Sequence, residues 1–403
     1  MQSGRWVVLA VALGIQTATS VVAAALPVLL PFVKAEFHLT FAAAGLLANF
    51  AFVGGFLTIA AAGWAVDAFG DRIVMVLGGI VAGVAALLCA GAPTFWLLLV
   101  ALLLMGAGIM MPTPAGSIAV RSAFALRLRG MVMSIRQTGI PLGGFFAALI
   151  LPWIALSAGW RAALAAAGAA SIAIALIGLV AYRSGPRTVQ IENDSGSLRR
   201  VLTRDIRVAA ASGLFLVCSQ ICVLTYLVVY LIHDRNQSVT TAAFFLAMAQ
   251  LAGAAGRVFW GVVSDRMLGG RRRPALVLAA SVGAVASLSL AVMPASAPIP
   301  FLVVAILACA VGAVGWNGVQ ISYISELARP GTEGRSVGLG LMIQQPGILI
   351  GPFLFGLVVD LTGSFRLAWL LVAGFMGAAL LIMMATREVP RTTPLPPAAE
   401  IIA

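Results

Sequence analysis

The sequence predicts an all-α membrane protein whose twelve transmembrane helices form two pseudo-symmetric six-helix bundles. Composition, the length of the apolar runs and an internal repeat each support this prediction. Apolar residues make up 62% of the 403 residues and charged residues only 9%, whereas an ordinary soluble domain is about 45–50% apolar and about 25% charged. Most of the protein surface must therefore face lipid instead of water.

The apolar runs between charged clusters have the length of membrane spans. A run of about 20 helical residues crosses the ~30 Å hydrocarbon core of a bilayer. Because lipid offers no hydrogen bonds to peptide groups, such runs must be helical. We predict helices over residues 6–31, 41–62, 73–92, 95–119, 131–156, 162–182, 208–232, 239–262, 274–293, 300–324, 336–361 and 367–386.

Two segments of the first half recur in the second half. Residues 63–67 (GWAVD) are echoed by residues 261–265 (GVVSD), and residues 136–144 are echoed by residues 344–352. Internal repeats of this kind are typical of secondary transporters. We therefore predict the following divisions of the chain: an N-terminal bundle over 1–182, a central loop over 183–207, a C-terminal bundle over 208–386 and a tail over 387–403.

The positive charges predict the orientation of the chain. If the N-terminus is cytoplasmic, nineteen of the 25 Lys and Arg residues fall in cytoplasmic segments. Four lie on the outer side (Lys34, Arg161, Arg235 and Arg366), and Arg136 and Arg257 lie within helices. The positive-inside rule then predicts cytoplasmic termini and a cytoplasmic central loop.

Several classes of protein are disfavoured. The net charge of +12 follows the cytoplasmic loops, so it does not indicate nucleic-acid binding. The four cysteines all lie in apolar runs and suggest neither disulfides nor a metal site. No nucleophile elbow, pair of catalytic carboxylates or phosphate-binding loop is present. We predict that the protein is not an enzyme and needs no cofactor.

The repeated loop resembles a known signature. The pattern Gly63-x-x-x-Asp67-x-x-Gly70-Asp71-Arg72 is similar to the loop 2–3 motif of the major facilitator superfamily, and its echo at Asp265-Arg266 falls at loop 8–9. The resemblance implies a cytoplasmic latch formed by these residues, with Arg121 as a partner of Asp67. The first copy departs from the family pattern, because Ala68 and Asp71 stand where basic residues are usual.

Two shorter stretches resemble anion transporters. The stretch from Arg257 to Asp265 is similar to helix 8 of oxalate–formate exchangers and monocarboxylate transporters, in which the arginine holds a substrate carboxylate. The stretch from Arg136 to Gly144 is similar to permeases of the cyanate-permease type. Those exchangers carry a lysine in helix 11, where this chain has Gln344 and Gln345.

Arg136 and Arg257 are the main candidates for substrate binding. Each lies roughly 10–12 Å from its cytoplasmic flank, at 1.5 Å per helical residue. An arginine at a helix centre costs about 2.5–3.5 kcal/mol or more, and such residues usually mark a binding site or an ion pathway. No Asp or Glu lies mid-helix to balance them. The alternative is that both side chains extend to the interface or pair with a latch aspartate.

Other polar residues are weaker candidates for the same site. Such side chains are costly in lipid and should line a cavity or join two helices. They are Gln137, Trp316, Asn317, Gln320, Tyr226, Gln250 and Gln344.

We therefore expect a monomeric secondary transporter of the bacterial inner membrane that moves a small organic anion, a mono- or dicarboxylate, by alternating access, with anion exchange favoured over uniport. Its partners would be the substrate and membrane lipid. The alternatives are a multidrug/proton antiporter of the same fold and a non-transporting membrane sensor or scaffold. An antiporter would commonly carry an acidic residue in its cavity, and a sensor would carry an added soluble domain. Neither is evident in the sequence.

Overall fold

A computed structural model describes residues 4–124, 126–183, 201–329 and 332–386. Most of the predicted central loop and the whole predicted tail lie outside these ranges. Within them every regular element is helical, and twelve helices are long and apolar enough to cross a membrane. They are α1 Arg5–Glu36, α2 Phe41–Thr58, α3 Asp71–Gly91, α4 Phe95–Val120, α5 Ile135–Ala158, α6 Trp160–Ala181, α7 Arg204–His233, α8 Val239–Met267, α9 Arg272–Val292, α10 Ile299–Leu327, α11 Glu333–Thr362 and α12 Phe365–Met384.

All twelve predicted helices are confirmed, with differences of a few residues at their ends. The first helix extends to Glu36, although it contains Pro27 and Pro31. The helix of α2 continues past the apolar span to Phe69. The last turn of α8, Val263–Met267, is π-helical.

Five of the spans contain a break, and the one in α5 lies near its start, because the span continues from a helical segment over Leu126–Gln137. The breaks in α4 and α5 lie at Met111 and Thr138, and those in α10 and α11 lie at Trp316 and Gln345–Pro346. In α2 the break is at Phe50. Proline explains three of them, because Pro112, Pro141 and Pro346 follow or occupy the breaks and each lacks the N–H that would continue the helix.

Helices α1–α6 and α7–α12 form two bundles with the same packing plan. In the first bundle α1 packs against α5 and α6, and in the second α7 packs against α11 and α12. We call the end of the molecule at which α1 begins and α12 ends the terminal face. The other end, with the α1–α2 and α7–α8 loops, is the opposite face.

Glycines allow equivalent helices in the two bundles to cross at close range. A Cβ added to Gly108 would lie 2.3 Å from the Ala82 nitrogen, where α4 crosses α3. A Cβ added to Gly312 would lie 2.3 Å from the Gly283 nitrogen, where α10 crosses α9. The tightest such contact joins α4 to α2, where the added Cβ of Gly106 would be 1.6 Å from the Ala51 carbonyl oxygen. These crossings need glycine, because any side chain would separate the helices.

We predict that Gly106→Ala lowers the unfolding temperature by several degrees, because overpacking a close contact costs about 1–3 kcal/mol. The measurement is thermal unfolding of the purified protein in detergent. Gly374→Ala is the matched control, since Gly374 is exposed on α12 and an added Cβ would meet nothing within 4 Å. Equal unfolding temperatures for the two variants would contradict the close α2–α4 contact.

Candidate functional site

Arg136 is buried inside the N-terminal bundle. Its side chain is 0% exposed, close to the break in α5. The guanidinium donates to Gln16 Oε1 of α1 at 3.2 Å and to Ser117 Oγ of α4 at 2.9 Å. A weaker bond of 3.4 Å reaches Gln137 Oε1, and the Nε atom is buried without a partner. All three acceptors are neutral, so among the described residues the positive charge is solvated by dipoles and not balanced by a carboxylate.

Arg257 lies in the C-terminal bundle, on α8, and is half-buried. Its Nε atom is buried and has no hydrogen-bond partner. Among the described residues its guanidinium forms no hydrogen bond and no ion pair. A half-buried cation without a partner is energetically unfavourable, because burial removes hydration that no protein group replaces.

The two arginines lie at similar depths on helices that touch each other. Gly144 of α5 packs against Gln250 of α8, and a Cβ on Gly144 would meet the Gln250 amide nitrogen at 2.1 Å. From this contact each helix continues toward the terminal face. Arg136 then lies ten residues from Leu126 and Arg257 ten residues from Met267, where their helical segments reach that face. At 1.5 Å per residue this depth is roughly 15 Å.

Two of the weaker candidates keep partly accessible polar side chains. Gln137, adjacent to Arg136, is half-buried and accepts a bond from it. Asn317 is half-buried on α10 and donates to Gln220 Oε1 of α7 at 3.0 Å. The sequence pattern did not separate Gln220 from the other membrane amides, and only the fold brings it to Asn317.

Trp316 and Gln320 use their polar groups inside the protein. The Trp316 indole N–H donates to the Ala313 carbonyl of its own helix at 2.9 Å. Gln320 is 0% exposed and donates to the Ala209 carbonyl of α7 at 2.7 Å. These contacts favour the alternative given above, in which the two residues pack helices together.

Gln344, Gln250 and Tyr226 lie in tight contacts between helices. Gln344 is 2% exposed and packs against Gly213 of α7, with neither amide atom hydrogen-bonded. Gln250 forms the α5–α8 contact described above. Tyr226 is fully buried near the opposite face and donates to the Phe41 carbonyl of the other bundle. Tyr226 therefore belongs to the contact between the bundles and not to the level of the arginines.

The structure does not describe three residues of the predicted latch at the level of side chains: Gly63, Asp67 and Arg121. The Asp67–Arg121 pair therefore stays a prediction. Gly70 ends the helix with φ 88°, a conformation that glycine adopts without strain. Arg72 donates to the Leu179 carbonyl at the end of α6, so it ties α3 to α6.

The second copy of the latch contains an ion pair that the sequence analysis did not predict. Arg266 is exposed, and Asp265 pairs with Arg272 of α9 at 2.6 Å. Arg272 also bonds Glu326 of α10 at 3.0 Å and Ser264 at 3.1 Å. A gating role for Asp265 and Arg266 stays a prediction. Spacing alone could not reveal this pairing, because it depends on α8, α9 and α10 meeting at the terminal face.

Comparison with known proteins agrees with the twelve-helix fold. The sequence profile of the Major Facilitator Superfamily matches residues 10–352. An uncharacterized MFS-type transporter of Mycobacterium tuberculosis is 31% identical over 93% of this chain and 84% of its own length. Monocarboxylate transporter 13 of Rattus norvegicus is 26% identical over 78% of this chain and 73% of its own. A probable sulfoacetate transporter of Cupriavidus necator is 26% identical over 87% and 86%.

The fold is also similar to that of solved transporters. A bacterial homolog of the human lysosomal transporter Spinster, solved in an inward-facing and occupied conformation, superposes with a TM-score of 0.80. It is 16% identical, and the match covers 94% of this chain and 95% of that one. From the family match over most of its length, the relative at 31% identity and the twelve spans, this chain belongs to the Major Facilitator Superfamily and is an integral, multi-pass membrane transporter.

Proposed function

We propose that the protein transports a small organic anion, a mono- or dicarboxylate or an anion of similar chemistry, by alternating access. The observation that carries the proposal is the pair of membrane-embedded arginines, neither of which contacts a carboxylate among the described residues. An anion would provide the counter-charge that both lack, through charge-assisted and often bidentate hydrogen bonds.

The relatives support an anionic substrate. Their names refer to monocarboxylates in one case and to sulfoacetate in another. Carboxylates and sulfonates share the feature that matters here, which is several strong acceptor oxygens around a negative charge. We therefore expect this chain to select its substrate by charge and size. Arg257 would contact the anion first, and Arg136 would provide the second positive charge.

The position of the arginines supports a site between the bundles. Arg136 belongs to the N-terminal bundle and Arg257 to the C-terminal bundle, at similar depths on α5 and α8. A substrate bound by both would interact with both halves of the molecule. Its binding energy would then differ between conformations in which the bundles are tilted differently, and alternating access requires such a difference.

We also propose that the terminal face is cytoplasmic, in a plasma membrane of the bacterial type. The excess of arginine in the segments at this face supports that orientation. Substrate would then reach Arg257 from the cytoplasm in the conformation described, because the hydrogen bonds between described residues of the two bundles lie nearer the opposite face.

Exchange of anions is favoured over uniport by the repulsion between the two charges. If closure around the site brought the two guanidinium groups to about 7 Å, they would repel by roughly 2–3 kcal/mol at an effective dielectric constant near 20. A bound anion removes this repulsion. The conformational change would therefore be slower without substrate than with it.

We predict that small carboxylates stabilise the purified protein and that Arg257→Gln and Arg136→Gln abolish this effect. At a ligand concentration of 100 Kd the stabilisation is about 2.7 kcal/mol. The measurement is a thermal-shift series with lactate, malonate, succinate and sulfoacetate, and with a lipophilic cation as a probe of the multidrug alternative. Arg257→Lys should weaken binding without abolishing it, because the charge stays and the bidentate geometry is lost.

Arg366→Gln is the matched control for this experiment. Arg366 is exposed at the opposite face, so removing its charge should leave the anion-induced shift unchanged. If Arg257→Gln kept the full shift, or if only the lipophilic cation stabilised the wild-type protein, the anion proposal would be wrong.

We predict that uptake into proteoliposomes depends on an internal anion. Vesicles preloaded with a substrate found in the thermal-shift series should take up the labelled anion at least tenfold faster than vesicles loaded with an impermeant buffer. Both preparations are clamped at zero membrane potential, so that charge movement does not limit the rate. Equal rates in the two preparations would exclude exchange while leaving anion transport itself intact.

A further inference from the structure

A carboxylate joins the two bundles at the opposite face. Asp360, near the end of α11 in the C-terminal bundle, accepts hydrogen bonds from the backbone N–H groups of Phe41 and Ala42. Both bonds are 2.8 Å long. Phe41 and Ala42 are the first two residues of α2 in the N-terminal bundle, where helical N–H groups have no partner within their own helix. One side chain therefore satisfies two orphan donors of the other bundle.

The surroundings of this contact are closely packed. A Cβ added to Gly356, one turn before Asp360, would lie 2.4 Å from the Phe41 carbonyl carbon. The Phe41 ring packs edge-on against His233 at 5.8 Å and against Phe365 at 5.6 Å, both from the C-terminal bundle. The ammonium of Lys34 lies 4.0 Å from the centre of the same ring. The start of α2 is thus in close contact with the other bundle, while the Asp360 side chain itself is exposed.

The other hydrogen bonds between the bundles are neutral. Tyr226 donates to the Phe41 carbonyl, and farther from the face Asn49 donates to Thr225 Oγ1 at 3.0 Å. In the described parts of the chain, Asp360 is the only charged side chain that hydrogen-bonds from one bundle to the other. Bonds to an ionised acceptor are roughly twice as strong as neutral ones. The negative charge also interacts favourably with the positive end of the α2 helix dipole.

We propose that Asp360 is an inter-bundle latch that stabilises the conformation in which the opposite face is closed. Opening that face moves α2 away from α11, so both hydrogen bonds and the dipole interaction must break. Asparagine at this position keeps one acceptor oxygen and loses the charge. Asp360→Asn should therefore shift the protein toward the conformation open at the opposite face, by about tenfold in the ratio of the two states. This inference depends on the contacts between the bundles and not on the nature of the substrate.

The test measures distances across both faces with pairs of spin labels. The background replaces the four buried cysteines with alanine. Labels at Pro93→Cys and Ala295→Cys report on the opposite face, and labels at Ile73→Cys and Met267→Cys report on the terminal face; all four positions are exposed. In Asp360→Asn the opposite-face pair should gain a longer distance and the terminal-face pair a shorter one. A loss of stability alone would broaden both distributions without this opposed shift.

Asp234→Asn and Gly356→Ala serve as the controls. Asp234 lies at the same face but pairs with Arg235 of its own bundle at 3.3 Å, so its replacement should leave both distributions unchanged. Gly356→Ala wedges a methyl group between the bundles and should open the opposite face. If Gly356→Ala shifts the distances and Asp360→Asn does not, the latch is not held by the carboxylate and the proposal is overturned.

Discussion

The balance of charge inside a medium that does not solvate ions is the constraint on which the rest of this molecule depends. Most of the chain meets it by keeping acids and bases at the two faces. Arg136 meets it partly, since three neutral oxygens of α1, α4 and α5 surround its guanidinium. Arg257 does not meet it within the described protein. In the proposed anion site this difference would make Arg257 the more responsive of the two, because it has no described partner to lose.

The same constraint separates what the sequence predicts from what it does not. All twelve spans follow from run length, because lipid leaves a peptide group no alternative to the helix. The partner of Asp265 was not predicted, because Arg272 reaches it only through the meeting of three helices. Gln320 likewise belongs to helix packing, and only the position of α7 against α10 reveals this. The spacing of residues along the chain predicts the helices, whereas the hydrogen-bond partners of a side chain depend on which helices pack together.

The glycine crossings inside each bundle differ in kind from the contacts between the two bundles. At Gly108 and Gly312 the backbones of neighbouring helices touch, so these helices cannot separate without losing extensive packing. The bundles also pack closely against each other, as at Gly144 and Gly356, but the hydrogen bonds between their described residues are few and lie nearer one face. A structure with tight packing inside each half and few specific bonds between halves can tilt the halves as rigid bodies. Alternating access in transporters with such repeats is largely a motion of this type.

Two sets of charges would influence this motion, one at the opposite face and one deeper in the membrane. Asp360 lies at the face, where its interaction is strongest when the bundles are in contact. Arg136 and Arg257 lie deeper, and in the mechanism we propose their mutual repulsion grows as the bundles close around them without an anion. In these proposals Asp360 favours closure of the opposite face, and the two arginines oppose closure of an empty site. Both effects act on the same equilibrium between the two conformations of the transporter. Their balance sets how much of the conformational change substrate binding must drive.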